Sequence, residues 1–526
     1  MTFSRRNPLY GHKRATLLLC ILLSLVVANT FASSDARTAL EKAVALVQEG
    51  ELDRAEQQAR IALSDPTTSA AANSVLGTIR FQQKRFPESI SFLEEAIRLE
   101  PRLVGARLNL AAVYEAENKP DQALPLYRKV LALDSSDKIA RMAIVQLEAQ
   151  AGHYKESLEY AQPMLAELRQ TPEGLFALTT DYMGTGDRSG AQDTVRDWVK
   201  IGSIQEDLAI KYGLFLAKQG EVLGAIDVLE HAKQAAPRSF AVTFNLAGIY
   251  GLNNNLALAL QNYDLALRID PNSIDAMTQA ALTAERKGDL ERSLSYWVRA
   301  KKLQPESPEL LFGFGRVCLK QDLLDDAETA LTKAAGLKPH DPSYQYLLAS
   351  VKVGKKQFEA AEQLLDALVK KTPGDPQLHY ALGSVLYLEG HLAEAVSHLS
   401  ESARLQPKQV ASNFYLALIA RDQGKDAEAI EILEKLLEEY PNHAPSRETL
   451  GELLMAAQRY PEAEANLQKA VTLNPNSVKA NYQLGLLLSR MGKKAEADKQ
   501  LELAKSLRTE DEKTSRLQLR LLEPEQ

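Results

Sequence analysis

Apolar and small positions recur along this chain on a fixed lattice. Two distant stretches display it: LAGIYGLNNNLALALQNYDLALRIDPNS (246–273) and LGELLMAAQRYPEAEANLQKAVTLNPNS (450–477). They differ at most positions. They share their small residues, a turn signal in the middle and a closing Asx-Pro-Asn-Ser. Proline supplies the period. Pro237, Pro271, Pro305, Pro339, Pro373, Pro407, Pro441 and Pro475 follow one another at 34 residues, and the same step backward reaches Ser203, Arg169, Ser135 and Pro101. Fourteen such units fill 36–511.

Other positions hold the same register. Twelve residues before each closing site stands a small residue, as at Ala55, Ser89, Ser157, Ala259, Ser293 and Ala463. Twenty-four before it the residue is often Gly or Ala, as at Gly77, Ala111, Ala247, Gly383 and Gly451. Seventeen before it lies Gly or Asn in most units, as at Gly50, Asn118, Asn254, Gly288 and Gly390. Each rule has a physical reading. The central Gly or Asn supplies a left-handed residue that ends one helix. A second helix follows, sometimes opening on Pro, as at Pro87 and Pro461. It stops at the Asx-Pro signal, since proline cannot continue a helix. Each unit therefore predicts two antiparallel helices of about 12–14 residues. The small residues fall where the helices cross and let the backbones approach to about 8 Å. One such pair cannot bury its own apolar face, so neighbouring pairs must stack.

This unit resembles the tetratricopeptide repeat. Gly451, Ala463, Ala470 and Pro475 match its motif in one unit, and Ala247, Tyr250, Ala259, Tyr263, Ala266 and Pro271 match it in another. The resemblance covers about nine tenths of the chain. It implies an all-α, right-handed superhelical solenoid of about fourteen helix-turn-helix units, with the first helix of each pair lining a concave groove. The match is poorest in 138–205, where Val145 and Thr179 replace the small residue and Arg169 and Ser203 replace proline, while Pro163 and Pro172 fall off the lattice. The chain thus divides into units 1–3 (36–137), divergent units 4–5 (138–205) and units 6–14 (206–511). The divergent stretch reads as repeat drift or as a bend and partner site. The tail 512–526, with Leu517, Leu519, Leu521 and Leu522, is expected to cap the last repeat.

The N-terminus departs from this pattern. Arg5, Arg6, Lys13 and Arg14 precede an apolar run, ATLLLCILLSLVVA, and then NTFASSDA. That order is the one of a secretory signal. Residues 1–32 are therefore expected to be removed after Ala32, leaving an exported, periplasmic or secreted chain. A second reading keeps 15–32 as an inner-membrane anchor, the only membrane contact expected. Removing the leader leaves 58 Lys+Arg against 69 Asp+Glu. This acidic balance excludes a nucleic-acid footprint, which needs a basic surface. Cys318 would be the one cysteine left, so no internal disulfide forms.

The chain carries no zincin His-Glu-x-x-His, no paired Cys-x-x-Cys, no phosphate-binding glycine loop and no Gly-x-Ser-x-Gly elbow. The reading is therefore non-enzymatic, with no cofactor and no metal. His379, His391 and His398 share one repeat. His391 and His398 are seven apart on one predicted helix, where a metal usually wants an i, i+4 pair and a third ligand, so all three are taken as structural or exposed.

The candidate surface is the groove. By the resemblance, the fifth residue of each repeat lines it. Four consecutive repeats carry Phe312, Tyr346, Tyr380 and Phe414 there, and Phe176, Phe244 and Tyr482 continue the row with gaps. Arg316, Tyr387, Tyr415 and Arg421 lie nearby on first helices. Aromatic and Arg side chains are the usual anchors of protein interfaces. The same aromatics could instead serve packing between repeats. The Lys/Asn/Arg clamp of chaperone-adaptor repeats is not assembled, because Asn109, Asn245 and Lys211 are scattered. The expectation is a scaffold for a protein partner in envelope, secretion or polysaccharide-export assembly, with binding of the polysaccharide itself as the second reading.

Overall fold

The computed structural model describes residues 34–202 and 205–511. The expected signal (1–32) and capping tail (512–526) lie outside the described residues. Fourteen helix pairs follow one another in the predicted order, and no strand occurs among the described residues. The chain is an all-α solenoid of stacked helix pairs. It forms two compact units, one ending at Asn254 and the other beginning at Asn255. No helix of the described residues is long and apolar enough to cross a membrane.

The lattice residues behave as their chemistry dictates. Every central turn carries a left-handed residue. Eight are glycines, including Gly152, Gly288 and Gly390. Asn118 and Asn254 do the same, and so do Lys84, Asp322, Lys356 and Gln458, where no glycine signals it. In the closing Asp-Pro-Asn-Ser, Asp270 Oδ1 accepts from the Asn272 amide (3.1 Å), and Ser273 Oγ accepts from the Ala276 amide (3.2 Å) to cap the next helix. A further device repeats. In several repeats the sixth residue after the closing site donates its side chain to that site's carbonyl. Gln345 reaches Pro339 O (3.0 Å), Arg447 Pro441 O (2.7 Å) and Asn481 Pro475 O (2.9 Å). Carbonyls at the ends of helices lack intrahelical partners, and this side chain satisfies one of those in the turn.

The predicted crossings are present. Ala463 is fully buried, and a Cβ on Gly451 would stand 2.6 Å from Leu467 Cγ and 3.4 Å from Ala463 O. Where the small residue is serine, its hydroxyl donates to the facing helix: Ser89 to Gly77 O (2.7 Å), Ser157 to Val145 O (2.9 Å) and Ser293 to Ala281 O (2.8 Å). A serine is thus tolerated in the core because the partner backbone satisfies it. Cys318 is buried, and burial pushes its thiol up to about 12, so it is inert at neutral pH.

The divergent stretch keeps its two helix pairs but breaks the second helix of the first. Tyr154–Ala161 passes through a 3-10 turn, Gln162–Met164, into Leu165–Leu168. Pro163 removes an amide donor and crowds the preceding turn. Thr179, at a small-residue position, is buried and shares its hydroxyl with Thr194 (2.5 Å) and Tyr212 (2.6 Å). Two positions on, Asp181 is buried as well. Its Oδ2 accepts from Ser157 Oγ at 2.6 Å, and its Oδ1 has no hydrogen-bond partner among the described residues. Burial raises its pKa to about 7.

Candidate protein-binding face

The first helices present the fifth-residue aromatics, because each is a short helix whose opposite side is committed to its partner helix. In the unit beginning at Asn255, Phe312, Tyr346 and Tyr380 touch the first helix of the next repeat. Phe312 packs on Tyr344 (ring centroids 4.8 Å apart), and Tyr380 on Tyr415 (6.0 Å). Tyr346 Oη accepts from Gln377 Nε2 at 2.8 Å. Phe414 meets His443 edge-on (5.3 Å). Tyr415 also takes Tyr387 (5.6 Å) and Phe414 (6.3 Å), so four aromatics gather at one place. In the other unit Phe176 packs on Tyr212 (5.2 Å) and Phe215 (5.5 Å) of the following first helix, while Phe244 stacks on Phe240 of its own helix (5.6 Å).

Most of the row therefore joins repeat to repeat, and its members differ in what they leave open. Tyr380 is only 3% exposed and is a core residue. Its place in the expected binding row is corrected on that ground: the Tyr415 ring and the neighbouring repeat cover it. Phe176, Phe244, Phe312, Tyr346 and Phe414 are half-buried, and Tyr482 is 48% exposed. Burial pushes the Tyr346 and Tyr387 phenols up to about 12, so both stay neutral at any ordinary pH. Tyr387 Oη donates to Asp422 Oδ2 (2.6 Å), and Arg421 holds the other oxygen of the same carboxylate (2.8 Å). Arg316 pairs with Glu285 at 2.8 Å, and Lys320 shares that carboxylate at 3.2 Å. Both arginines are thus already held by acids on or next to their own face. A partner would meet them as parts of ion pairs rather than as free cations.

The histidines fall differently from the sequence expectation. His391 stands just before the helix Leu392–Leu405, without capping it by its side chain, instead of sharing it with His398. His379 is buried. One ring nitrogen meets Pro373 O (3.0 Å) and the other meets His398 Nδ1 (3.0 Å). One nitrogen of that imidazole pair must donate to the other. The Pro373 contact belongs to the six-residue device described above, which sequence reading missed. Its signal was present, since a polar residue recurs six after the closing site.

Comparison with known proteins agrees with this fold. Tetratricopeptide repeat profiles match residues 40–102, 278–342 and 346–410, with others at 106–140 and 478–511, and a TPR repeat profile matches 451–492. A profile described as anaphase-promoting complex, cyclosome, subunit 3 matches 399–470. The tetratricopeptide matches together cover more than half of the sequence, and the chain belongs to the tetratricopeptide repeat family. Its fold is the scaffold type used for protein–protein interaction. Sperm-associated antigen 1 of Rattus norvegicus is 25% identical over 146 residues, 28% of this chain and 16% of that protein. Cellulose synthase operon protein C of Pseudomonas fluorescens is 22% identical over 306 residues, 50% of this chain and 21% of that protein. The chain spans about a fifth of the length of these curated relatives. Among solved structures, the APC/C hetero-tetramer Cut9–Hcn1 is similar over 87% of this chain and 98% of that one, at 15% identity and a TM-score of 0.39.

Proposed function

We propose that this chain is a non-enzymatic scaffold that binds a protein partner across the first-helix face of its repeats, in an envelope pathway of secretion or polysaccharide export. The aromatic cluster of Phe414, Tyr415 and Tyr387 beside the Arg421–Asp422 pair carries the reading. It sits on rigid helices and leaves half-buried rings next to polar groups, the composition of an interface centre. Exposed Tyr482, two repeats on, extends the same row. The basic, apolar, small-residue order of 1–32 supports export. The likeness of half the chain to a protein named for a cellulose synthase operon supports the polysaccharide pathway. It also keeps a second reading open, in which the same rings hold the glycan directly.

The test is crosslinking in the native cells after fractionation, with a Phe414→Ser/Tyr482→Ser variant alongside. Neither ring is fully buried, so helicity is expected to stay near normal. Recovery of the crosslinked partner is expected to fall about tenfold or more, as for loss of interface anchors. Polysaccharide recovered without protein would favour the glycan reading. Full recovery from the variant would refute this face, and a cytosolic location would refute the envelope pathway.

A further inference from the structure

A second feature lies on the turn side of the repeats, away from the aromatic row in sequence register. Within the unit beginning at Asn255, Glu362, Glu389 and His391 bring one ligand atom each to within 4.8 Å of one another. Glu362 lies on the second helix of one repeat, Phe358–Lys371. Glu389 ends the first helix of the next, Pro376–Glu389, and His391 immediately precedes that repeat's second helix. The turn is held in place. Gly390 adopts φ +84°, its amide bonds Tyr387 O (3.1 Å), and the His391 amide bonds Leu386 O (2.9 Å).

Other repeats that carry a glutamate in this slot show how it is satisfied there. One repeat earlier, Glu328 stands at the position of Glu362 and is ion-paired with Lys352 and Lys355. Three repeats later, Glu464 stands there and is paired with Lys493 at 2.5 Å. On the 34-residue lattice Glu389 takes the place of Lys355, Leu386 that of Lys352, and His391 the place filled by Lys493. The glutamate is kept while each lysine is lost. Neither Glu362 nor Glu389 has an ion pair with Lys or Arg among the described residues. Glu389 Oε2 is buried and has no hydrogen-bond partner among them. Two carboxylates forced together without a cation repel, whereas a bound cation would reverse the sign of that interaction.

We propose that Glu362, Glu389 and His391 bind a divalent transition-metal ion that clamps two adjacent repeats. Two carboxylate oxygens and one imidazole nitrogen suit zinc, whose bonds to such ligands are about 2.0–2.2 Å, with water completing the shell. Tetrahedral ligands on one such ion lie about 3.4 Å from each other, so side-chain rotations must draw the three atoms in from their present spread of up to 4.8 Å. His391 is exposed, which leaves the ion a path from solvent.

The test uses the full mature chain, stripped with chelator and titrated with zinc chloride alone or magnesium chloride alone. One zinc equivalent is expected to bind and raise the thermal midpoint, with magnesium ineffective. Glu389→Gln/His391→Ala is expected to weaken that zinc binding at least tenfold. Glu389→Lys restores the neighbouring Glu–Lys arrangement. It is expected to fold as well as the parent and to lose both zinc binding and the zinc-induced shift. Three results would overturn the site: no zinc bound by the parent, zinc bound by either variant as tightly as by the parent, or magnesium binding as tightly as zinc.

Discussion

Replacing Asp181 by valine is expected to stabilise its repeat by about 2–4 kcal/mol at pH 8, a gain that shrinks markedly at pH 5. The argument begins with register. The positions equivalent to Asp181 in most other repeats are aliphatic and buried, as at Ile79, Val113, Leu147, Ile249, Val317 and Val385. Asp181 occupies an aliphatic position, with one carboxylate oxygen bonded to Ser157 and the other unpartnered. Burial disfavours the charged form and moves ionisation from 3.8 to about 7. That shift corresponds to about 4 kcal/mol.

The folded pKa is raised, so the folded state binds the proton more tightly than the unfolded chain. The stability this contributes is fully present below about pH 4 and is lost as pH rises through 7. Between pH 5 and pH 8 the loss amounts to about 2–3 kcal/mol, and the valine variant lacks it. Ser157 keeps its bond to Val145 O after the change, so no new buried donor is orphaned. Repeat arrays do not always unfold in one step. Hydrogen exchange of the helix Pro172–Thr185 is therefore the measurement, taken at both pH values. A gain of equal size at both, or a loss of protection at pH 8, would remove the buried-charge account.

Asp181 also marks what was legible in the sequence and what was not. The period, the helix pairs, the crossings and the central turns are written in residue type, because glycine, alanine and proline act locally through backbone geometry. Even the four turns without Gly or Asn were placed by the lattice. Side-chain partnerships across repeats were less legible. The aromatic row was found, yet sequence could not separate Tyr380, sealed by Tyr415, from exposed Tyr482, since both sit at one register position. Burial there depends on what the next repeat presents. The histidines were misgrouped for the same reason. A helix boundary one residue later moved His391 off the helix and toward two glutamates from other elements. In 138–205 the departures from the lattice were visible, but not that one of them is an aspartate buried in an aliphatic slot.

Ala463→Leu is the converse experiment, adding volume where the lattice demands its absence. Ala463 lies on Tyr460–Leu473 against Ala444–Ala456 and is fully buried. The space opposite is already so close that a single Cβ on Gly451 would meet Leu467 Cγ at 2.6 Å. Three more carbons at Ala463 cannot be placed without separating the helices or forcing side chains off their rotamers. The expected destabilisation is about 1–3 kcal/mol, read as loss of exchange protection in these two helices. Ala465 lies two residues on, on the exposed side of the same helix, where the same substitution is expected to change stability by less than about 0.5 kcal/mol. The pair separates close packing from any change in helix propensity, since both substitutions replace alanine by leucine in one helix. Equal effects at the two positions would mean that the small residue is not at a crossing. The lattice would then record something other than helix contact, and the face on which Phe414 and Tyr482 are placed would lose its geometric basis.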